Sequence, residues 1–125
     1  MEGIYIFGGR NSQGKPCNHL RVIQLFCKPW KHRVFDYKDE EILGVPPRER
    51  WGHAMHFIAK TMKIVIYGGR NDNLYESLGS SSLEDICILD LKYMVWCSVR
   101  TKGFSPKPRY NFSSCVTGKI SFMAL

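Results

Sequence analysis

The sequence lacks any run of about 18 apolar residues, which excludes a transmembrane helix. Its five cysteines, Cys17, Cys27, Cys87, Cys97 and Cys115, contain no Cys-x-x-Cys pair and are odd in number. Zinc sites usually need close ligand pairs, and secreted disulfide frameworks favour even counts, so reduced structural thiols and no metal are expected. Met1-Glu2-Gly3 has neither the basic start nor the small-residue cleavage site of a secretory signal. The expected address is therefore cytoplasmic or nuclear, not secreted. Asn111-Phe112-Ser113 fits the N-glycosylation pattern, and is expected to stay unmodified there. Catalytic constellations are also missing. His53 and His56 are three apart, on opposite faces of a strand, and no Ser-based motif or phosphate-cradling glycine loop occurs. No catalytic residue and no cofactor are expected, and the chain is not read as an enzyme.

The 125 residues suffice for one small domain, and 44% hydrophobic with 13% aromatic residues fits a globular one. Net charge is +7, which raises nucleic acid or an anionic membrane as partners. By segment the charge runs +5 (1–35), −3 (36–45), +4 (46–70), −4 (71–99) and +5 (100–125). Alternating sign, with no run of five like charges, favours a solvated mixed surface over a nucleic-acid footprint.

An internal repeat dominates. "IYIFGGRN" (4–11) returns as "IVIYGGRN" (64–71), 60 positions on. Downstream, "LRVIQLFCKPW" (20–30) matches "ICILDLKYMVW" (86–96), and "PRERWGHA" (47–54) matches "KPRYNFSS" (107–114), with Arg50 meeting Arg109 and Trp51 meeting Tyr110. The local patterns are β throughout. "GHAMHFIA" and "KIVIYGG" are strand-length runs joined by a hairpin-sized "KTM", and "DICILDL" and "VWCSV" by "KYM". Ile64 to Tyr67 and Ile86 to Leu89 are apolar at every position, as in strands buried on both faces. The unit-ending strands near Val34 and Val99 are mixed and suit an outer edge. "DYKDEEIL" (36–43) hints at a helical turn or an exposed acidic connection. Gly8-Gly9 and Gly68-Gly69 each close a strand, where positive φ and close backbone approach favour glycine.

These residues resemble the kelch repeat, whose signature is an apolar strand closed by Gly-Gly, a later strand ending in Trp, then a Pro- and Arg-containing segment. The parts here are "IYIFGG" with Trp30, "PPRERWGH" with "IVIYGG" and Trp96, and "PKPRY". The resemblance covers essentially the whole chain. It implies consecutive four-stranded antiparallel blades of a β-propeller, an all-β fold. Residues 1–48 are expected to form a blade lacking its first strand, 49–105 a complete blade, and 106–125 the start of a truncated one. Such an incomplete ring belongs to a larger protein, assembles with other chains, or is a remnant.

The resemblance also implies a protein-interaction module, an adaptor or scaffold. In an up-and-down blade the loops after the second and fourth strands open on one face. That gathers Arg10, Asn11, Arg48, Arg50, Arg70, Asn71 and Arg109 as candidate contacts for a partner protein, such as an acidic segment gripped bidentately. Alternatives are a fragment of a kelch-propeller enzyme, oxidase or sugar-modifying, or a basic surface binding nucleic acid or anionic membrane. Gly8, Gly9, Trp30, Gly68, Gly69 and Trp96 are expected to be structural, and either asparagine could simply bond its own loop. The arginines could also pair with Asp39, Glu40, Glu41 or Asp72. Trp51 and Tyr110 are expected to pack, and "SLGSSSLED" (77–85) to lengthen a loop.

Overall fold

The computed structural model describes residues 2–35, 41–117 and 121–124. Among these residues nine strands run β1 (Ile4–Phe7), β2 (Leu20–Gln24), β3 (Lys31–Phe35), β4 (Ala54–Ile58), β5 (Lys63–Tyr67), β6 (Ile86–Asp90), β7 (Val95–Ser98), β8 (Ser114–Thr117) and β9 (Ser121–Ala124). They form three sheets ordered β1-β2-β3, β4-β5-β6-β7 and β8-β9, with every neighbouring pair antiparallel. Each is a meander, as consecutive hairpins dictate. A 3-10 turn (Asp72–Leu74) and an α-helical turn, α1 (Tyr75–Leu78), lie in the loop between β5 and β6. Of the acidic stretch, residues 36–40 lie outside the described residues, and Glu41 begins a turn.

The core lies between the first two sheets. Phe7, Leu20, Val22 and Phe35 of one sheet meet Ile64, Ile66, Leu89 and Trp96 of the next. Phe7 and Trp96 meet edge-on, ring centroids 5.3 Å apart. Burying such a side chain contributes roughly 1.5–3 kcal/mol, so neither sheet is stable without the other. The reverse face of the second sheet meets β8, where His56 Nε2 lies 2.7 Å from Ser114 Oγ and Tyr67 packs on Phe112. His53 packs instead on Phe7, so the two histidines look toward different sheets.

Two expectations are corrected. Trp30 was paired with Trp96 by counting from the preceding strand, yet it stands 67% exposed. The register explains this: Leu89 faces Trp96, whereas the matched Ile23 faces His32. The β2–β3 hairpin is longer than the β6–β7 hairpin, so the extra residues carry Trp30 out of the strand and into the tip. Cys97, expected together with Cys87 from its apolar strand neighbours to be a small buried hydrophobe, is exposed, while Cys87 is half-buried, and all five cysteines are free.

β1 also differs from its repeat mate. β5 is paired on both sides, by β4 and β6, whereas among the described residues β1 pairs only with β2. Ile4 and Ile6 are accordingly 48% and 41% exposed, where Ile64 and Ile66 are 2% and 0%. An apolar cleft of about 650 Å³ opens beside this edge, lined by Tyr5, Met55, Phe57 and Ile64 among others.

Candidate functional site

Each Gly-Gly exit is fastened to the following Pro-Arg linker. Gly9 N–H donates to Arg50 O at 2.8 Å, and Gly69 N–H donates to Arg109 O at 2.8 Å. Gly8 and Gly68 hold φ of +69° and +66°, and a Cβ there would come within 2.6 Å and 2.8 Å of those same two carbonyl oxygens. The double glycine is therefore a docking point between repeats. Trp51 and Arg70 continue the contact with reciprocal backbone bonds of 3.1 and 2.9 Å.

Arg50 is not a surface contact. Its side chain is fully buried and grips Asp85 with two bonds of 2.8 and 2.7 Å, while also donating to Gly68 O at 2.9 Å and Arg48 O at 3.1 Å. Burial alone would raise the Asp85 carboxyl, but the hydrogen bonds and charge of Arg50 override it and hold the group below its ordinary value. Asn71 is likewise buried. Its Oδ1 accepts from Asn73 N–H at 3.0 Å and its Nδ2 donates to Glu49 O at 2.9 Å. Asn11 is exposed, with Oδ1 accepting from the Gln13 and Lys15 backbone. Both asparagines organise their own loops, as their side-chain geometry favours.

Of the arginines left at the surface, Arg10 and Arg70 lie against two rings. Arg10 Cζ lies 4.2 Å from the Trp51 ring centroid, and Arg70 Cζ lies 5.6 Å from that ring and 4.9 Å from Tyr110. Trp51 and Tyr110 meet edge-on at 5.5 Å, and Arg70 donates to Tyr110 Oη at 2.8 Å. Arg70 also pairs with Asp72, and these bonds raise its pKa. Arg10 has no carboxylate partner among the described residues. Arg48 is exposed, and the side chain of half-buried Arg109 donates to Lys107 O at 3.1 Å, the same two-residue backward bond that Arg50 makes to Arg48. Stacking holds a guanidinium flat while leaving its donor edge free, which reduces the entropy lost on gripping an anion. Trp51 and Tyr110, expected to pack, do pack on each other, and their faces also carry Arg10 and Arg70.

Behind the shelf, burial and then the Arg50 charge lower the His53 pKa to about 4, against a hydrogen bond to the Phe7 backbone that raises it. His53 Nδ1 is buried with no partner among the described residues. A neutral folded-state imidazole means the unfolded chain binds the extra proton between pH of about 6.5 and about 4. Stability contributed by His53 is full above that window and lost as pH falls through it. Exchanging His53 for Phe, the residue at the matching position 112, is expected to flatten this part of the stability–pH curve in urea titrations relative to the unaltered chain.

Among the described residues no group of three or more His, Cys, Asp or Glu is placed to hold a metal ion. No helix among them is long and apolar enough to cross a membrane.

Residues 1–124 match the KLHDC2/KLHL20/DRC7 Kelch-repeats domain. The chain belongs to the kelch-repeat family. Kelch domain-containing protein 3 of Bos taurus is 30% identical over 120 residues, covering 96% of this chain and 28% of that protein. Acyl-CoA-binding domain-containing protein 4 of Arabidopsis thaliana is 36% identical over 121 residues, covering 96% of this chain and 16% of that protein. Dynein regulatory complex subunit 7 of Chlamydomonas reinhardtii is 27% identical over 107 residues, covering 85% and 8%. The kelch chain thus spans well under a third of these relatives. Kelch-repeat domains are generally protein-interaction modules without enzymatic activity.

Proposed function

We propose that this kelch segment acts as an adaptor or scaffold surface that binds an acidic segment of a partner protein on the loop face. Arg10, Arg48, Arg70 and Arg109 carry the contact, with Trp51 and Tyr110 as shelves. The supporting observation is the stacked guanidinium of Arg10, 4.2 Å from the Trp51 ring and free of any described carboxylate. A desolvated bidentate arginine–carboxylate pair discriminates strongly for acidic side chains. Arg50 and Asn71 take no direct part; they hold the loops in place. Five free thiols suit a reducing compartment, cytoplasm or nucleus.

Selection from a random displayed-peptide library tests the reading. Enriched sequences are expected to be rich in Asp and Glu. Arg10→Ala with Arg70→Ala is expected to weaken the best peptide at least about tenfold, and Trp51→Ala by about tenfold through loss of both stacking contacts. Selection of peptides without acidic residues would overturn the proposal. So would unchanged affinity in the double variant when its circular dichroism matches the unaltered chain.

A further inference from the structure

Opposite the loop face, three hairpin tips project from the first two sheets: residues 25–30 (LFCKPW), 59–62 (AKTM) and 91–94 (LKYM). Hairpin tips in water are commonly built from glycine, asparagine and aspartate. Each of these instead combines a lysine with a large apolar side chain, and none contains an acidic residue. Phe26 is 83% exposed, Trp30 67%, Met62 49% and Tyr93 66%, while Lys28, Lys60 and Lys92 are all exposed. Lys92 Nζ lies 5.3 Å from the Tyr93 ring centroid. Phe26, Met62 and Leu91 line the same apolar cleft, so the three tips stand together on one side of the molecule. Among the described residues, Asp90 faces Lys63 at 3.9 Å, Glu41 faces Arg33 at 2.6 Å, and Glu2 lines the cleft.

We propose that this face docks peripherally on an anionic lipid bilayer, with Phe26, Trp30 and Met62 in the interfacial layer and Lys28, Lys60 and Lys92 against the headgroup phosphates. The charge complementarity is of a particular kind. All the tip cations are lysines, flexible point charges suited to a diffuse anionic surface, whereas the cations stacked on rings across the molecule are arginines, suited to a carboxylate fork. Tryptophan and tyrosine favour the membrane–water boundary, and lysine stems bury apolar length while their ammonium groups reach water. Each lysine near an anionic leaflet contributes about 1 kcal/mol, which is roughly fivefold in binding, and apolar insertion supplies the second anchor that stable attachment needs.

Co-sedimentation of the full chain with vesicles tests this. Binding to phosphatidylcholine vesicles containing phosphatidylserine is expected to exceed binding to pure phosphatidylcholine by at least about tenfold. The Lys28→Gln, Lys60→Gln, Lys92→Gln variant is expected to lose about a hundredfold. The Phe26→Ser, Trp30→Ser, Met62→Ser variant, which touches only exposed side chains, is expected to keep its circular dichroism and lose at least about tenfold. Absence of binding to either vesicle, as a protein or nucleic-acid partner for the face would give, overturns the proposal. It is also overturned if the apolar variant binds like the unaltered chain, or if Arg10→Ala with Arg48→Ala on the loop face lowers binding as much as the lysine variant.

Discussion

Replacing Arg50 with methionine is expected to lower the free energy of unfolding by about 2–3 kcal/mol, read as a shift of the urea midpoint at unchanged slope. Methionine fills much of the space but donates nothing. Asp85 then loses both bonds, at 2.8 and 2.7 Å, and Gly68 O loses its 2.9 Å donor. Gly68 O, in the buried one of these bonds, retains its desolvation cost without that donor, whereas the half-exposed Asp85 carboxylate regains water and keeps the Cys87 thiol at 3.3 Å. Asp85→Asn, which keeps a side-chain acceptor and removes the charge, is expected to cost about half as much. The same variants separate structure from recognition. Molecules of Arg50→Met that remain folded should bind an acidic peptide nearly as the unaltered chain does, while Arg10→Ala with Arg70→Ala should show the reverse pattern. A cost below about 1 kcal/mol for Arg50→Met would mean that the Arg50–Asp85 pair does not hold the linker to the strand end.

Gly8→Ala is expected to cost about 3 kcal/mol, against about 1 kcal/mol for Gly14→Ala, measured by the same urea titration. Both glycines have positive φ, +69° and +76°, so backbone strain is common to the two. They differ in surroundings. A Cβ on Gly14 meets nothing within 4 Å, whereas on Gly8 it falls 2.6 Å from Arg50 O, a backbone atom held by Gly9 N–H at 2.8 Å. Relief requires the linker to retreat, which loosens Arg50 and opens the seam between the first two sheets. Equal costs at the two positions would show that conformational freedom alone, not close approach, explains the double glycine.

The sequence by itself determined much of this protein. Uninterrupted apolar runs at Ile64–Tyr67 and Ile86–Leu89 pointed to strands covered on both faces; β5 and β6 lie inside their sheet, and β5 buries Ile64, Ile66 and Tyr67, but β6 fully buries only Leu89. Short connections required antiparallel hairpins, and the 60-residue recurrence of Gly-Gly-Arg-Asn required equivalent strand exits, each now seen fastened to a linker carbonyl. Those features come from local geometry, which spacing records directly. The cation-rich character of the loop face was legible for the same reason, since strand direction assigns loops to faces. Tertiary structure alone decided what each arginine does. Arg10 and Arg50 carry the same charge, yet one lies stacked at the surface and the other is sealed against Asp85, 35 positions away in sequence. Nothing in the neighbourhood of either residue encodes that distant partner. Trp30 shows the same limit: residue counting matched it to Trp96, but a longer hairpin shifted the register and put His32 opposite Ile23. Pairing register and burial depend on contacts between elements far apart in the chain, so they are settled only when the sheets pack.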